Sequence, residues 1–353
     1  MAVTVRPFGV LPSGAMSHLF TISLPSGESV ALCDYGARIV NLVVPDSDGR
    51  LADVVWGYEE IKPYYKLEGN AGAVCGRVAA RIEGGFFILD GIRHELHKNE
   101  GNNTLHGGEK AFDTVMWSGC PVGDDTVCFT YVSADGEEGF PGKLVVNVLY
   151  TFTTDRELIL EYRATSDKDT ICSITNHTYF NLAGHDSGSV LDQKVQIIAD
   201  YFLTNGTIPM ADGGIVPVAD TPLDFRQLRA VGEGANSDHP QIVGCRGYNH
   251  TYALRKSERG ACELAAVMED DRTGRRMEVY TSLPGLHFFS ANKTTPRVGK
   301  CGAVYDRQYG LCFETQFFPN AFKNVWFPSP VLRKEESYIQ RTVFKFTLSS
   351  KKQ

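Results

Sequence analysis

No stretch of this chain approaches the ~20 consecutive apolar residues that a membrane-spanning helix requires, so a membrane is not an expected partner. A basic block is missing too. The 35 Lys+Arg are scattered and stand against 42 Asp+Glu, for a net charge of −7. That leaves nothing like the clustered positive footprint that grips nucleic-acid phosphates. There is no C-x-x-C pair among the nine cysteines, and an odd number without that spacing indicates neither a disulfide framework nor a zinc ribbon. The start, Met1-Ala2-Val3-Thr4-Val5-Arg6-Pro7, has no apolar run behind a basic one, the pattern that marks a secretory signal. A cytoplasmic protein with reduced, mostly buried thiols is the expectation. No Pro/Ser-rich or charged linker and no internal repeat divides the 353 residues, which favours one domain over 1–353.

Helical periodicity is also scarce. Short helices are expected near Tyr58 to Lys66 and Phe225 to Val231, neither long enough to cross over between parallel strands. Period-two alternation dominates instead. Val146, Val148, Tyr150 and Phe152 share one face, and Leu158, Leu160 and Tyr162 repeat it after Thr154-Asp155-Arg156, which reads as a hairpin. A second hairpin runs from Leu264–Met268 through the Asp/Gly turn Asp270–Gly274 into Met277–Tyr280, the turn residues supplying the reversal. Alternation from Tyr338 to Phe346 suggests a closing strand. With 35 glycines punctuating many short strands, the pattern predicts an all-β protein of packed antiparallel sheets.

Against that background one histidine is unusual. His177 lies in Thr175-Asn176-His177-Thr178-Tyr179-Phe180-Asn181-Leu182, among small polar and aromatic residues rather than in an apolar stripe. Two other polar segments, Asn103-Thr104-Leu105-His106-Gly107-Gly108 and Phe313-Glu314-Thr315-Gln316, add a second histidine and a glutamate. A carboxylate and an imidazole within hydrogen-bond reach form a minimal acid/base pair. If His177 and Glu314 stand on different strands, each projects one side chain into a shared cleft. Gly107-Gly108 is expected to let backbone approach a ligand closely. Of Tyr179 and Phe180, and of Phe288 and Phe289, at most one of each pair can face a cleft, because successive strand residues point to opposite sides. His94, His97, His185 and His250 read as structural or exposed.

These segments, with Gly76-Arg77-Val78-Ala79-Ala80-Arg81-Ile82 and Gly247-Tyr248-Asn249-His250, occur in the same order as in the aldose 1-epimerase (galactose mutarotase) family, which the chain resembles over most of its length. The resemblance implies a large antiparallel β-sandwich of many strands, the mutarotase-like supersandwich, with a few short helices and an open cleft on one sheet. It implies an isomerase that interconverts the α and β anomers of a free aldose of galactose or glucose type, with no cofactor and no metal. Glu314 is then the base and His177 the acid. His106 is placed near the ring oxygen, and Arg81, Tyr179, Asn249 and His287 line the sugar site. Only the resemblance selects Arg81, since alternation puts Arg77 and Arg81 on the same face and a surface salt bridge would otherwise account for either. The expected partner is a monosaccharide, and the chain a monomer or homodimer.

Four positions depart from the family pattern: Ala80 where Asn is common, Asn249 where Asp is usual, His287 where Gln is frequent, and Asn320 where Asp often follows Phe-Pro. Exchanging an acceptor-only carboxylate for an amide alters which hydroxyls position 249 prefers. Three other readings use the same residues. A cupin-like metal protein needs histidines at short spacing, and His94-Glu95-Leu96-His97 does not fit that spacing. A silent sugar-binding protein with this fold would have little use for the acid/base pair, and a hexose-phosphate epimerase needs an arginine cluster.

Overall fold

The computed structural model describes residues 1–66, 70–206 and 211–349. Among them the period-two segments form strands and collect into a few sheets. The largest has nine strands in the order Ser118–Pro121, Thr126–Ser133, Leu144–Phe152, Glu157–Ser166, Ser337–Leu348, Arg275–Thr281, Glu263–Glu269, Lys194–Ile197 and Arg229–Ala230. Every pairing in it is antiparallel. Both expected hairpins are present, and Ser337–Leu348 closes the sheet by pairing with one strand of each hairpin. At the second hairpin Gly274 takes φ 69°, and a Cβ there would lie 2.9 Å from Ser47, so glycine serves both the turn and the neighbouring chain.

A five-stranded antiparallel sheet orders Ala211–Pro217, Ala199–Asn205, Asn249–Leu254, Gly285–Phe289 and Cys312–Gln316. An N-terminal five-stranded sheet runs from Ala2–Val10 to Leu51–Asp53 in chain order. One hydrophobic cluster joins all three, taking Ile22 and Leu32, Val146 to Phe152, and Tyr252, Phe288 and Phe313. Phe180 bridges the layers, its ring 4.9 Å from Phe344 and 6.4 Å from Phe313. Each such buried aromatic contributes roughly 1.5–3 kcal/mol by leaving water. Packing one face of the five-stranded sheet leaves its other face to build a cleft.

Helices are few and short, as expected, but one is misplaced by sequence. Lys62–Lys66 is helical, whereas within Phe225 to Val231 the pair Arg229–Ala230 forms the last strand of the nine-stranded sheet, against Lys194 and Val195. Phe225 and Val231 are both anchored in the core, and the open edge of Lys194–Ile197 takes the intervening backbone, so tertiary pairing overrides local preference. A helix follows at Gly232–Ala235. Another, Pro240–Cys245, had a legible start: His239 accepts from the Gln241 N–H and Pro240 occupies the first turn, where its missing N–H costs nothing. No helix among the described residues is long and apolar enough to cross a membrane.

Candidate active site

Strand register writes the cleft floor directly. Asn249, Phe289 and Cys312 lie in one row across three adjacent strands, and Thr251, His287 and Glu314 lie in the next. Alternation turns these six to one side and His250, Tyr252, Phe288 and Phe313 to the other, where all four are buried. Phe289 is thus the cleft member of its pair and Phe288 the core member. Tyr179 and Phe180 divide in the same way, Tyr179 lining the cleft and Phe180 entering the core. The cleft has a volume of about 310 Å³, at the small end of the ~300–1,000 Å³ usual for small-molecule sites.

All seven residues singled out in the sequence line this cleft: Arg81, His106, His177, Tyr179, Asn249, His287 and Glu314. His177 follows the two-residue strand Thr175–Asn176, and its own backbone is tied to Ala73 and Gly72 (N–H to Ala73 O 2.8 Å, Gly72 N–H to its carbonyl 3.0 Å). Its Nε2 stands 3.5 Å from Oε1 of Glu314. Its Nδ1 is 3.6 Å from the Cys312 thiol. His106 packs edge-on against it, ring centroids 5.5 Å apart, and takes φ 51°.

Gly107 and Gly108 each stand where a side chain would collide. A Cβ on Gly107 would fall 1.9 Å from the carbonyl oxygen of Gly76, and one on Gly108 would fall 2.2 Å from Glu138 Oε2. Within the chain, the close approach at Gly107 locks the His106 segment onto the Gly76–Arg81 segment, and that at Gly108 meets the Glu138 side chain. Alternation between Arg77 and Arg81 fails, because Ala80 takes φ 59°. Arg77 turns inward, its guanidinium donating to Ser133 Oγ (2.9 Å) and to the carbonyls of Pro141 (3.0 Å) and Ala134 (2.7 Å). Arg81 turns into the cleft and is held by Glu100 through two bonds of 2.5 and 2.6 Å.

Sequence reasoning missed Trp56, Glu100 and Lys293, which also line the cleft. Trp56 is sandwiched between Tyr179 (4.6 Å, 8° between planes) and Tyr305 (4.8 Å, 6°), so it fixes the aromatic wall. Its only signal was rarity, as one of three tryptophans. Glu100 sits three residues before the Asn103–Gly108 block, and that proximity was its only signal. Asn320 does not line the cleft; its side chain accepts from the Glu83 N–H at 3.0 Å and steadies the segment after Arg81. The remaining histidines are structural or exposed, His250 buried on the core face, His94 stacked on Phe87, and His185 bonded to Tyr305.

Burial dominates the electrostatics. It pushes the Glu314 carboxyl up to about 8, with Arg81 pulling the other way, because a carboxylate loses its hydration there. Burial also pulls His177 down to about 4, and holds His106 and His287 well below the usual imidazole range. One Glu314 oxygen, Oε2, is buried with no hydrogen-bond partner among the described residues.

The ligand-type atoms of His106, His177 and Glu314 lie within 4.8 Å of one another, so wide spacing in sequence was no argument against a metal. The donor chemistry is a better one. The Ala80 N–H donates to His106 Nδ1 at 3.2 Å, which puts the proton of this neutral imidazole on Nε2. His106 therefore presents an N–H to the cleft, where a metal ligand would need a lone pair.

The family model of aldose 1-epimerase matches residues 18–345. The chain is 39% identical to the galactose mutarotase of Sus scrofa over 351 residues, covering 99% of this chain and 100% of that one. It is 39% identical to the galactose mutarotase of Homo sapiens over 350 residues (99% of each), and 34% identical to the aldose 1-epimerase of Escherichia coli K12 over 339 residues (95% and 96%). Among solved structures, galactose 1-epimerase from Lactobacillus acidophilus superposes with a TM-score of 0.86 at 26% identity, covering 99% of this chain and 100% of that one. An aldose epimerase homologue from C. elegans gives 0.87 at 26% identity, covering 95% and 100%. The chain belongs to the aldose 1-epimerase family. It is an isomerase, an aldose 1-epimerase, with the large antiparallel β-sandwich that its motifs implied.

Proposed function

We propose that the cleft takes a free aldose of galactose or glucose type and exchanges its anomers, with Glu314 as base and His177 as acid. Glu314 removes the O1 proton, the C1–O5 bond breaks with its electron pair going to O5, and His177 protonates O5. The open chain carries a C1=O1 carbonyl. Rotation about C1–C2 exposes the other carbonyl face. His177 then takes the O5 proton back as O5 attacks C1, and Glu314 returns its proton to O1. No proton is gained or lost overall. His106, an N–H donor, stabilises charge near O5, Arg81 and Asn249 bind hydroxyls, and the Tyr179 ring offers an apolar face to the pyranose.

The carrying observation is the 3.5 Å separation of His177 Nε2 from Glu314 Oε1 inside the cleft. The opposed pKa shifts support it. Between about 4 and about 8 the pair holds a single proton, and both arrangements of that proton carry the same net charge. Carboxylate plus imidazolium starts ring opening, and neutral acid plus neutral imidazole results from it. Burial favours the second arrangement, so ring opening relieves two buried charges. A silent binder would have no use for such a pair. We infer also that 1–353 is one domain, supported by a hydrophobic cluster running from Phe20 to Phe346.

Glu314→Gln keeps the side-chain size and removes its basicity. Polarimetric mutarotation should slow by about 10²–10⁴-fold, the usual worth of a positioned acid or base, while sugar affinity measured by calorimetry changes far less. A variant that mutarotates at the wild-type rate would overturn the assignment.

A further inference from the structure

Along the cleft floor a short hydrogen-bond chain runs from Thr251 through His287 to Asn249. Thr251 and His287 face each other across the strand pair, and the Thr251 hydroxyl lies 2.9 Å from His287 Nδ1. The other ring nitrogen, Nε2, lies 2.7 Å from Oδ1 of Asn249, one step along the same face. A priori this chain could run in either direction, because a hydroxyl and an imidazole can each donate or accept.

Burial decides the direction. Thr251 is buried, and among the described residues its hydroxyl makes this one hydrogen bond. If His287 Nδ1 carried the proton, the Thr251 hydroxyl would accept, and its own hydrogen would be stranded in the interior at a cost of about 1–3 kcal/mol. Thr251 therefore donates, and Nδ1 accepts. A neutral imidazole has one N–H, so Nε2 carries it and donates to Asn249 Oδ1. The Asn249 carbonyl is then occupied by His287, and its NH₂ group is left for a ligand in the cleft.

We propose that Thr251 and His287 are positioning residues that fix the Asn249 side chain as a pure hydrogen-bond donor, so that this part of the cleft reads a sugar oxygen by its lone pairs. The inference rests on the reading of the cleft as an aldose site. Arg81, which lines the same cleft, is likewise a donor without acceptor capacity. The sugar hydroxyl met here accepts, and its own hydrogen points elsewhere. An aspartate at 249 would do the reverse, accepting the hydrogen and repelling the lone pairs. The substrate class follows: aldoses in which this hydroxyl is replaced by a group that accepts but cannot donate remain substrates, and those in which it is replaced by hydrogen do not.

The test pairs two measurements. The first is a panel of monodeoxy and matching monodeoxyfluoro galactoses and glucoses, each rate divided by that of spontaneous mutarotation of the same sugar. At one ring position the wild-type enzyme should keep kcat/KM for the fluoro sugar about 10-fold or more above that for the deoxy sugar, the scale of one buried hydrogen bond. Asn249→Asp should abolish that preference. Thr251→Val should also erase it, raising KM while kcat for the parent sugar stays within about threefold, as befits a residue that touches no reacting atom. Equal rejection of both sugars at every position would overturn the proposal. The second measurement, ¹⁵N NMR of the histidine rings, does not depend on activity. The signals that vanish in His287→Phe should be those of an Nε2–H tautomer in wild type; an Nδ1–H tautomer would overturn the proposal even in an active enzyme. Failure of the wild type to mutarotate the parent aldoses would instead count against the aldose reading, with the tautomer still measured.

Discussion

Arg81 and Glu100 meet as two parallel N–H···O bonds of 2.5 and 2.6 Å, with only 11% of the Arg81 side chain exposed. A bidentate pair fixes the plane of a guanidinium as well as its charge. Glu100 thus positions the arginine that the proposed mechanism assigns to sugar binding. Glu100→Gln should raise KM by about 10-fold, the worth of one charge-assisted hydrogen bond, with kcat little changed. Steady-state polarimetry separates the two. A fall in kcat with KM unchanged would assign Glu100 a different part.

Arg77 and Arg81 look alike in sequence and should behave oppositely in experiment. Arg77 is buried with its donors on Ser133, Pro141 and Ala134, so Arg77→Ala strands several acceptors, at roughly 1–3 kcal/mol for each one left buried and unpaired. It should destabilise the fold by several times that of an ordinary surface change. Arg81→Ala should cost less than about 1 kcal/mol of stability, since its partner Glu100 can turn to water, yet lose most sugar binding. Urea denaturation with calorimetric titration distinguishes them.

Glu314 should also impair stability, because its carboxyl is buried and one of its oxygens is unpartnered. Its folded-state pKa is raised from 4.5 to about 8, so the folded protein keeps a proton that the unfolded chain has released. Stability from this group is full below 4.5 and is lost as pH rises through 8. Glu314→Gln removes that loss. The variant should unfold at a higher temperature than wild type, with a gap that widens from about pH 5 to pH 8 and then levels. A gap independent of pH would place the carboxyl in a solvated setting.

Dialysis against a strong chelator should leave kcat/KM unchanged, because the His106 ring turns an N–H and not a lone pair toward His177 and Glu314. Loss of activity restored by added zinc would mean that the Ala80–His106 bond does not set the tautomer.

The parts of the site that were legible in sequence are those set by local rules. Alternation gave the hairpins and the rule that only one of Phe288 and Phe289 can face the cleft, because inside a paired strand nothing local competes with the pleat. Tyr179 and Phe180 also divide, although outside a strand, through the isolated bridges of Phe180 to Val55 and Leu311. Alternation failed between Arg77 and Arg81, where Ala80 adopts a positive φ that alanine seldom takes and no composition signals. The neighbour that requires a glycine at 107, Gly76, is likewise supplied by the fold and not signalled locally. Trp56 was invisible for the same reason, since its partners Tyr179 and Tyr305 lie 123 and 249 residues further along. Arg229–Ala230 became a strand only because Lys194–Ile197 offered it an edge. Non-local contact, rather than residue type, separates what the chain disclosed from what it did not.

The central claim is that Glu314 and His177 share one proton across the reacting sugar, and the pH dependence of kcat/KM tests it most directly, since that quantity reports ionisations of the free enzyme. Measured polarimetrically over pH 3.5–9.5 against spontaneous mutarotation, with folding checked by circular dichroism, activity should form a plateau. It should fall below about 4, where both groups are protonated, and above about 8, where neither is. The residual activity of Glu314→Gln should lack the alkaline fall. A wild-type profile with a single limb, or an alkaline limb that survives in Glu314→Gln, would contradict the account.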